Sequence, residues 1–254
     1  MRSLNVACYM NIGLRDSQED SIFLNGRVVQ EKRVANPSVE RTNGDAMVYA
    51  VCDGMGGLER GEWASRFVCE RLSEKVRDVG HPGESIVTLL KEIQWEVERQ
   101  GMENTGTTVA GVVIGGERTS VFNAGDSRVY KLNEDGITCL SHDHSLVQEE
   151  IDKGSLSEEE AFTHPYRNLI GFGIGDVFHR EWAEQAKEIF LAHDVLARGD
   201  YYFICTDGVS DVLRDREIHA LLYPEPFDRL SGFVRCVTEK MKDNVSFILI
   251  GGAQ

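Results

Sequence analysis

No apolar run in this 254-residue sequence approaches the length of a membrane span, about 18 residues. The N-terminal stretch MRSLNVACYMNIGLRD lacks a sustained apolar core, so no signal peptide is expected. The six cysteines stand apart, at 8, 52, 69, 139, 205 and 236, and none belongs to a CxxC pair. That argues against zinc sites and disulfide frameworks. Cys52 and Cys205, inside apolar runs, read as buried free thiols of a reducing cytoplasm. Basic clusters are missing as well. With a net charge of −15, neither a nucleic-acid groove nor contact with an anionic membrane is expected. No internal repeat or low-complexity tract is visible.

What is present is ordinary in bulk: 41% hydrophobic and 27% charged residues, on a chain long enough to bury a real core. The negative charge is either a solubilising surface or a set of carboxylates converging on hard cations, and composition leaves both open. Short segments rich in β-branched residues read as strands: NVACYM, DSIFL, AMVYAVC, TTVAGVVI, TSVFNA, SRVYKL, YYFICT and VSFILI. The Asp-Gly pair in NEDGITCL signals a hairpin, and such short links imply antiparallel sheets. Helical spacing links Trp63, Phe67, Val68, Leu72 and Val76. It also links Ile86, Leu89, Leu90, Ile93 and Val97, then Leu230, Phe233, Val234, Val237 and Met241. A further helix is expected near 145–153. The pattern predicts an α+β fold with long helices outside antiparallel sheets. Residues 1–254 read as one domain. The stretch from about 154 to 185 reads as a surface flap or as an ordinary long loop.

The stretch AVCDGMGG, residues 50–57, ends a buried strand in a carboxylate and crowds glycines after it. Gly54, Gly56 and Gly57 would let the backbone approach a ligand, and a carbonyl there could bind an ion. Asp-Gly after a strand is also a common turn. The pattern recurs, however. Asp207 follows YYFICT, Asp126 follows FNAG, Asp243 precedes a strand in MKDNVSFILI, and Glu19 and Asp20 precede SIF. Five acidic clusters thus stand at strand ends, which one end of a sandwich can bring together. Oxygen-only donors suit Mg²⁺ or Mn²⁺, and crowded carboxylates repel one another without a cation.

These motifs give the sequence a resemblance to the metal-dependent Ser/Thr protein phosphatases of the PPM, or type 2C, family in its compact bacterial form. GLRDSQED, DGMGG with GEWAS, TGTTVAGVVI, NAGDSRVYKL, HDHSLVQEEIDKG, HPYRN, CTDGVSDVL and DNVSFILI occur in the family's order across residues 13–250. The resemblance implies a four-layer αββα sandwich, with two antiparallel sheets flanked by helices and a binuclear Mn²⁺ or Mg²⁺ centre at one end. It implies that Asp53 bridges the two ions and that the Gly54 carbonyl binds one of them. Asp207 and Asp243 would complete the other, with Glu19 reaching the centre directly or through water. Asp20 would support these ligands from behind. Asp126 would share a third, weaker ion with Asp207. Arg15 would grip the substrate phosphate, and a water activated between two cations would attack phosphorus. No cysteine nucleophile is needed, and HC(X)5R is absent.

Three departures stand out. Met55 occupies a position where many animal members have a proton-donating histidine, so the general acid is unassigned. Gln18 replaces the usual Asn. The flap wording RNLIGFGIGD differs from the usual arginine-alanine-leucine-glycine. Family position makes His144 structural and assigns His164 to the flap. The expected activity is hydrolysis of phosphoserine and phosphothreonine in proteins, opposing a Ser/Thr kinase in the cytoplasm. A silent binding module of the same fold would have lost metal aspartates, whereas Asp53, Asp126, Asp207 and Asp243 are kept. A phosphatase of anti-sigma-factor antagonists usually carries a sensor or membrane region, for which the motifs leave no room.

Overall fold

The computed structural model of the chain describes residues 2–34, 36–55, 60–75 and 85–252. Strands come first: β1 (Arg2–Asn11), β2 (Asp20–Leu24), β3 (Arg27–Val29), β4 (Val39–Gly44) and β5 (Ala46–Met55). Two long helices follow, α1 (Gly61–Lys75) and α2 (Ser85–Arg99). Then come β6 (Gly106–Thr107), β7 (Val109–Gly115), β8 (Arg118–Ala124), β9 (Arg128–Asn133) and β10 (Gly136–Cys139). The next part alternates: α3 (Leu146–Asp152), α4 (Glu158–Phe162), β11 (Ile174–Gly175), α5 (His179–Ala183), β12 (Phe190–Asp194) and β13 (Tyr201–Cys205). The chain closes with α6 (Asp207–Ser210), α7 (Asp215–Leu222), α8 (Pro226–Lys240) and β14 (Val245–Gly252).

The strands form two antiparallel sheets. One has the order β10-β9-β13-β14-β1-β4. The other runs β11-β6-β5-β7-β8-β12, with β2 on β5 and β3 on β2. The central strands bury both faces, which is why they read as continuous apolar runs rather than alternating ones. In β5, Met47, Tyr49 and Val51 enter the core between the sheets, while Val48, Ala50 and Cys52 face α1 and α2. In β14, Ile248 and Ile250 enter the same central core, while Phe247 and Leu249 face α7 and α8. The result is helices, sheet, sheet, helices, the expected four layers.

The helix expectations hold in the described residues. Ile86, Leu89, Leu90, Ile93 and Val97 of α2 are all buried. Val76 lies outside the described residues. The hairpin signalled by Asp-Gly joins β9 to β10, but Gly136 pairs with Asn133, so the turn residues are Glu134 and Asp135. All six cysteines are free thiols. Residues 154–185 hold α4, β11 and α5, and β11 extends the second sheet by pairing with β6. Among the described residues, no helix is long and apolar enough to cross a membrane.

Candidate active site

Strand pairing gathers the acidic residues at one end of the sandwich. Asp20, the first residue of β2, stands directly opposite Asp53 on β5. In the other sheet Cys205 pairs with both Phe247 and Arg128. Asp207, just after β13, therefore stands beside Asp243, just before β14, and Asp126, just before β9. Glu19 completes the group from the turn ahead of β2. The two sheets meet here. Thr206 donates from its Oγ1 to Asp20 Oδ2 at 3.0 Å, and Asp53 and Asp207 lie within hydrogen-bonding reach of each other.

Close backbone contacts hold these strand ends together. A Cβ on Gly54 would fall 2.1 Å from the Gly61 carbonyl oxygen and 2.6 Å from that of Glu19. Only glycine lets β5, α1 and the 12–19 turn meet there. A Cβ on Gly208 would fall 1.9 Å from the Asn244 carbonyl oxygen, so α6 packs directly on the entry to β14. Asp53-Gly54 and Asp207-Gly208 thus mark places where one acidic strand end is pressed against another segment of the site. Gly56 and Gly57 lie outside the described residues.

Two threonines fix Asp53 itself. Its N–H donates to Thr108 Oγ1 at 3.0 Å, and its carbonyl accepts from Thr107 Oγ1 at 2.9 Å. Thr108 Oγ1 also lies 2.7 Å from Ser127 Oγ, next to Asp126. The sequence motif TGTT pointed to this strand, but nothing local in it predicts hydroxyls aimed at a neighbouring backbone.

The electrostatics are those of crowded like charges. Burial pushes the Asp20 carboxyl up to about 8, and the hydrogen bond from Thr206 only partly offsets it. Burial and then the Asp211 charge push Asp207 up to about 7. Asp53 and Asp126 rise well above the ordinary carboxylate range, first from burial and then from their acidic neighbours. Burial also raises Glu19. Directly opposed like charges such as Asp20 and Asp53 oppose pairing, so this arrangement carries a cost that the fold alone does not explain.

Arg15 lies at the mouth of the group. Its side chain is 57% exposed and its NH2 nitrogen sits 2.5 Å from Asp243 Oδ2. Met55, at the end of β5, is half-buried and has no proton to give. His144 lies beside the group, with both ring nitrogens engaged. Nδ1 lies 3.2 Å from the Gly125 N–H nitrogen and Nε2 lies 3.0 Å from the Glu188 carbonyl. A neutral ring with the proton on Nε2 satisfies both contacts. His164 Nδ1 accepts from the Tyr166 N–H at 3.2 Å, within the exposed turn after α4. The adjoining Arg167 pairs with Asp211 at 3.1 Å, which ties that turn to the α6 end.

The donor set is suited to hard cations. Asp126 Oδ1 and Asp207 Oδ1 are buried and receive no hydrogen bond from a protein donor among the described residues. An orphaned buried acceptor costs roughly 1–3 kcal/mol, more when charged, and a cation removes that cost. Among the described residues, no three Asp, Glu, His or Cys side chains close around one point as a cage. The array is open, as suits Mg²⁺-like ions that keep several waters and take one or two carboxylates.

A family model described as Protein phosphatase 2C matches residues 35–246. The chain belongs to this family. It is 33% identical over 201 residues to the serine/threonine protein phosphatase PstP of Mycobacterium tuberculosis, covering 73% of this chain and 37% of PstP. The serine/threonine phosphatase stp of Listeria welshimeri is 29% identical over 199 residues, covering 74% of this chain and 76% of that protein. Among solved structures, Stp1 from Staphylococcus aureus superposes with a TM-score of 0.80 at 27% identity, over 98% of this chain and 95% of Stp1. The catalytic domain of PstP in complex with two manganese ions gives a TM-score of 0.72 at 26% identity, over the whole of both chains. The two antiparallel sheets flanked by helices are therefore this family's fold.

Proposed function

We propose that the chain is a Mg²⁺- or Mn²⁺-dependent protein phosphatase that hydrolyses phosphoserine and phosphothreonine. The observation that carries this reading is the convergence of Glu19, Asp20, Asp53, Asp126, Asp207 and Asp243 beside an exposed arginine. The names of the relatives agree with it, and the manganese in one structural neighbour agrees with the donor chemistry.

Asp53, Asp207, Asp243, Glu19 and the Gly54 carbonyl would hold two cations, and Asp126 with Asp207 a third. Such cations supply a water of lowered pKa as the nucleophile. The chain's own residues do the rest. Asp20 stands opposite Asp53 and accepts from Thr206 of the other sheet, and Thr108 fixes the Asp53 backbone. Arg15 carries five N–H donors and spends few of them on Asp243, so its fork can take phosphoryl oxygens from the exposed side. Neither Met55 nor the fully engaged His144 is set to protonate a leaving group. The substrate must come from a Ser/Thr kinase, and a cognate kinase is part of this proposal. We assign the described residues to one phosphatase unit, with 154–185 as a flap beside the site. Six free thiols fit a reducing cytoplasm.

The test is hydrolysis of a phosphothreonine peptide with and without metal. Activity should require millimolar Mn²⁺ or Mg²⁺, on the order of the affinity of such hydrated sites. EDTA should abolish it and thiol alkylation should spare it. Turnover that survives chelation, or is lost on alkylation with metal present, would overturn the proposal.

A further inference from the structure

Asn244 is a buried amide with no charge to offer a cation or a phosphate, and only 4% of its surface is exposed. Both N–H donors and the oxygen of its side chain are engaged. Oδ1 accepts from the Glu19 N–H at 2.6 Å. Nδ2 donates to the Ile12 carbonyl at 2.9 Å and to the Ser17 carbonyl at 3.1 Å. The partners fix the orientation of the amide, because two carbonyls require the nitrogen and one N–H requires the oxygen.

The segment held in this way is the one that carries Arg15 and Glu19. The Ile12 carbonyl that receives Nδ2 also accepts the Arg15 N–H at 3.3 Å, so the amide grips the root of the Arg15 turn. Gly13, with φ of +65°, lies flat on the same spot. A Cβ there would fall 2.0 Å from the Asp243 carbonyl oxygen. On its backbone side Asn244 serves the other half of the site. Its N–H donates to Asp243 Oδ1 at 2.8 Å, and its carbonyl is the surface on which Gly208, next to Asp207, is packed.

We propose that Asn244 is the positioning residue of this site, whose amide sets Arg15 and Glu19 against Asp243 and Asp207. Aspartate in its place would keep the acceptor for Glu19 but turn a second oxygen toward two carbonyls. Alanine would leave the Ser17 carbonyl and the Glu19 N–H unpaired, leave the Ile12 carbonyl with the Arg15 N–H alone, and free the turn to move. The inference rests on the phosphatase reading for its kinetic part but not for its structural part.

The test is a double-mutant cycle on a phosphothreonine peptide at saturating Mn²⁺, with amide hydrogen exchange on the same proteins without metal. Asn244→Ala should raise KM and lower kcat/KM by roughly ten- to a hundredfold, as a misplaced binding group does. The Asn244→Ala, Arg15→Ala double variant should be better than the product of the single effects predicts, by about fivefold or more. Amides of residues 12–19 should exchange faster while β1 and β14 stay protected. Unchanged exchange at 12–19, or single effects that simply multiply, would overturn the proposal. A silent Arg15→Ala would instead count against the assigned role of Arg15, and exchange at 12–19 would still judge Asn244. If Asn244→Ala fails to fold, Asn244→Ser carries the same tests, because its small hydroxyl fits the space and loses both carbonyl contacts.

Discussion

His144 shows how a residue suggestive of catalysis is committed elsewhere. Its ring lies against Phe172, with centroids 5.2 Å apart, and spans from the Gly125 backbone to the Glu188 carbonyl. Burial pushes its pKa below the ordinary 6.5, with Lys187 and His142 acting in the same direction and the two backbone contacts opposing. The unfolded chain therefore takes up a proton that the folded ring refuses. Stability from this residue is fully present above pH 6.5 and is lost as pH falls from there toward the folded value. Denaturant unfolding of wild type and His144→Gln at pH 7.5 and 5.5 measures this. The glutamine can offer one donor and one acceptor but cannot titrate, so its stability deficit should shrink at the lower pH. A deficit that grows at pH 5.5 would show that the ring is charged in the fold.

At the scale of elements, glycine placement decides whether segments can meet. Gly208→Ala would force a methyl into the Asn244 carbonyl at 1.9 Å, on backbone that cannot swing away. It should cost about 1–3 kcal/mol, as overpacking does, and loosen Asp207 from Asp243. At Gly232, exposed within α8, a methyl would meet nothing within 4 Å, so Gly232→Ala should stabilise by up to about 1 kcal/mol through helix propensity. Denaturant midpoints of the two variants should move in opposite directions. The long elements were legible because burial leaves a period: five apolar residues mark one face of α2, and two-sided burial makes β5 and β14 unbroken runs. Strand β4, VERTNG, was not legible, because it is a mostly exposed sheet edge with no apolar pattern to read. Strands β11 and β12 were missed for related reasons, one having two residues and the other little full burial. The acidic strand ends could be seen one at a time. That Asp20 faces Asp53 depends on strand pairing, and that Asn244 grips Ile12 depends on a contact 232 residues apart. Neither leaves a local signal.

At the scale of the whole molecule, the fold gathers like charge on a chain that already carries −15. Buried and half-buried aspartates from both sheets meet at one end, and burial together with acidic neighbours raises their pKa values. A ligand that neutralises them in the folded state, and finds no such array in the unfolded chain, must stabilise the fold by mass action. At a hundredfold excess over its Kd the gain is about 2.7 kcal/mol per site. A domain of this size gains about 2–4 °C in Tm per kcal/mol, so one filled site should raise Tm by roughly 5–10 °C. Thermal unfolding with Mn²⁺ or Mg²⁺, against NaCl at matched ionic strength, separates binding from screening, because exposed charges feel both but a buried array answers mainly to the ion it holds. Asp53→Asn should start from a Tm at or above that of the metal-free wild type, since it removes one of two opposed charges, and should lose most of the divalent gain. If NaCl reproduces the rise, or Asp53→Asn keeps all of it, the cations act on the general surface and not on the carboxylates at the strand ends.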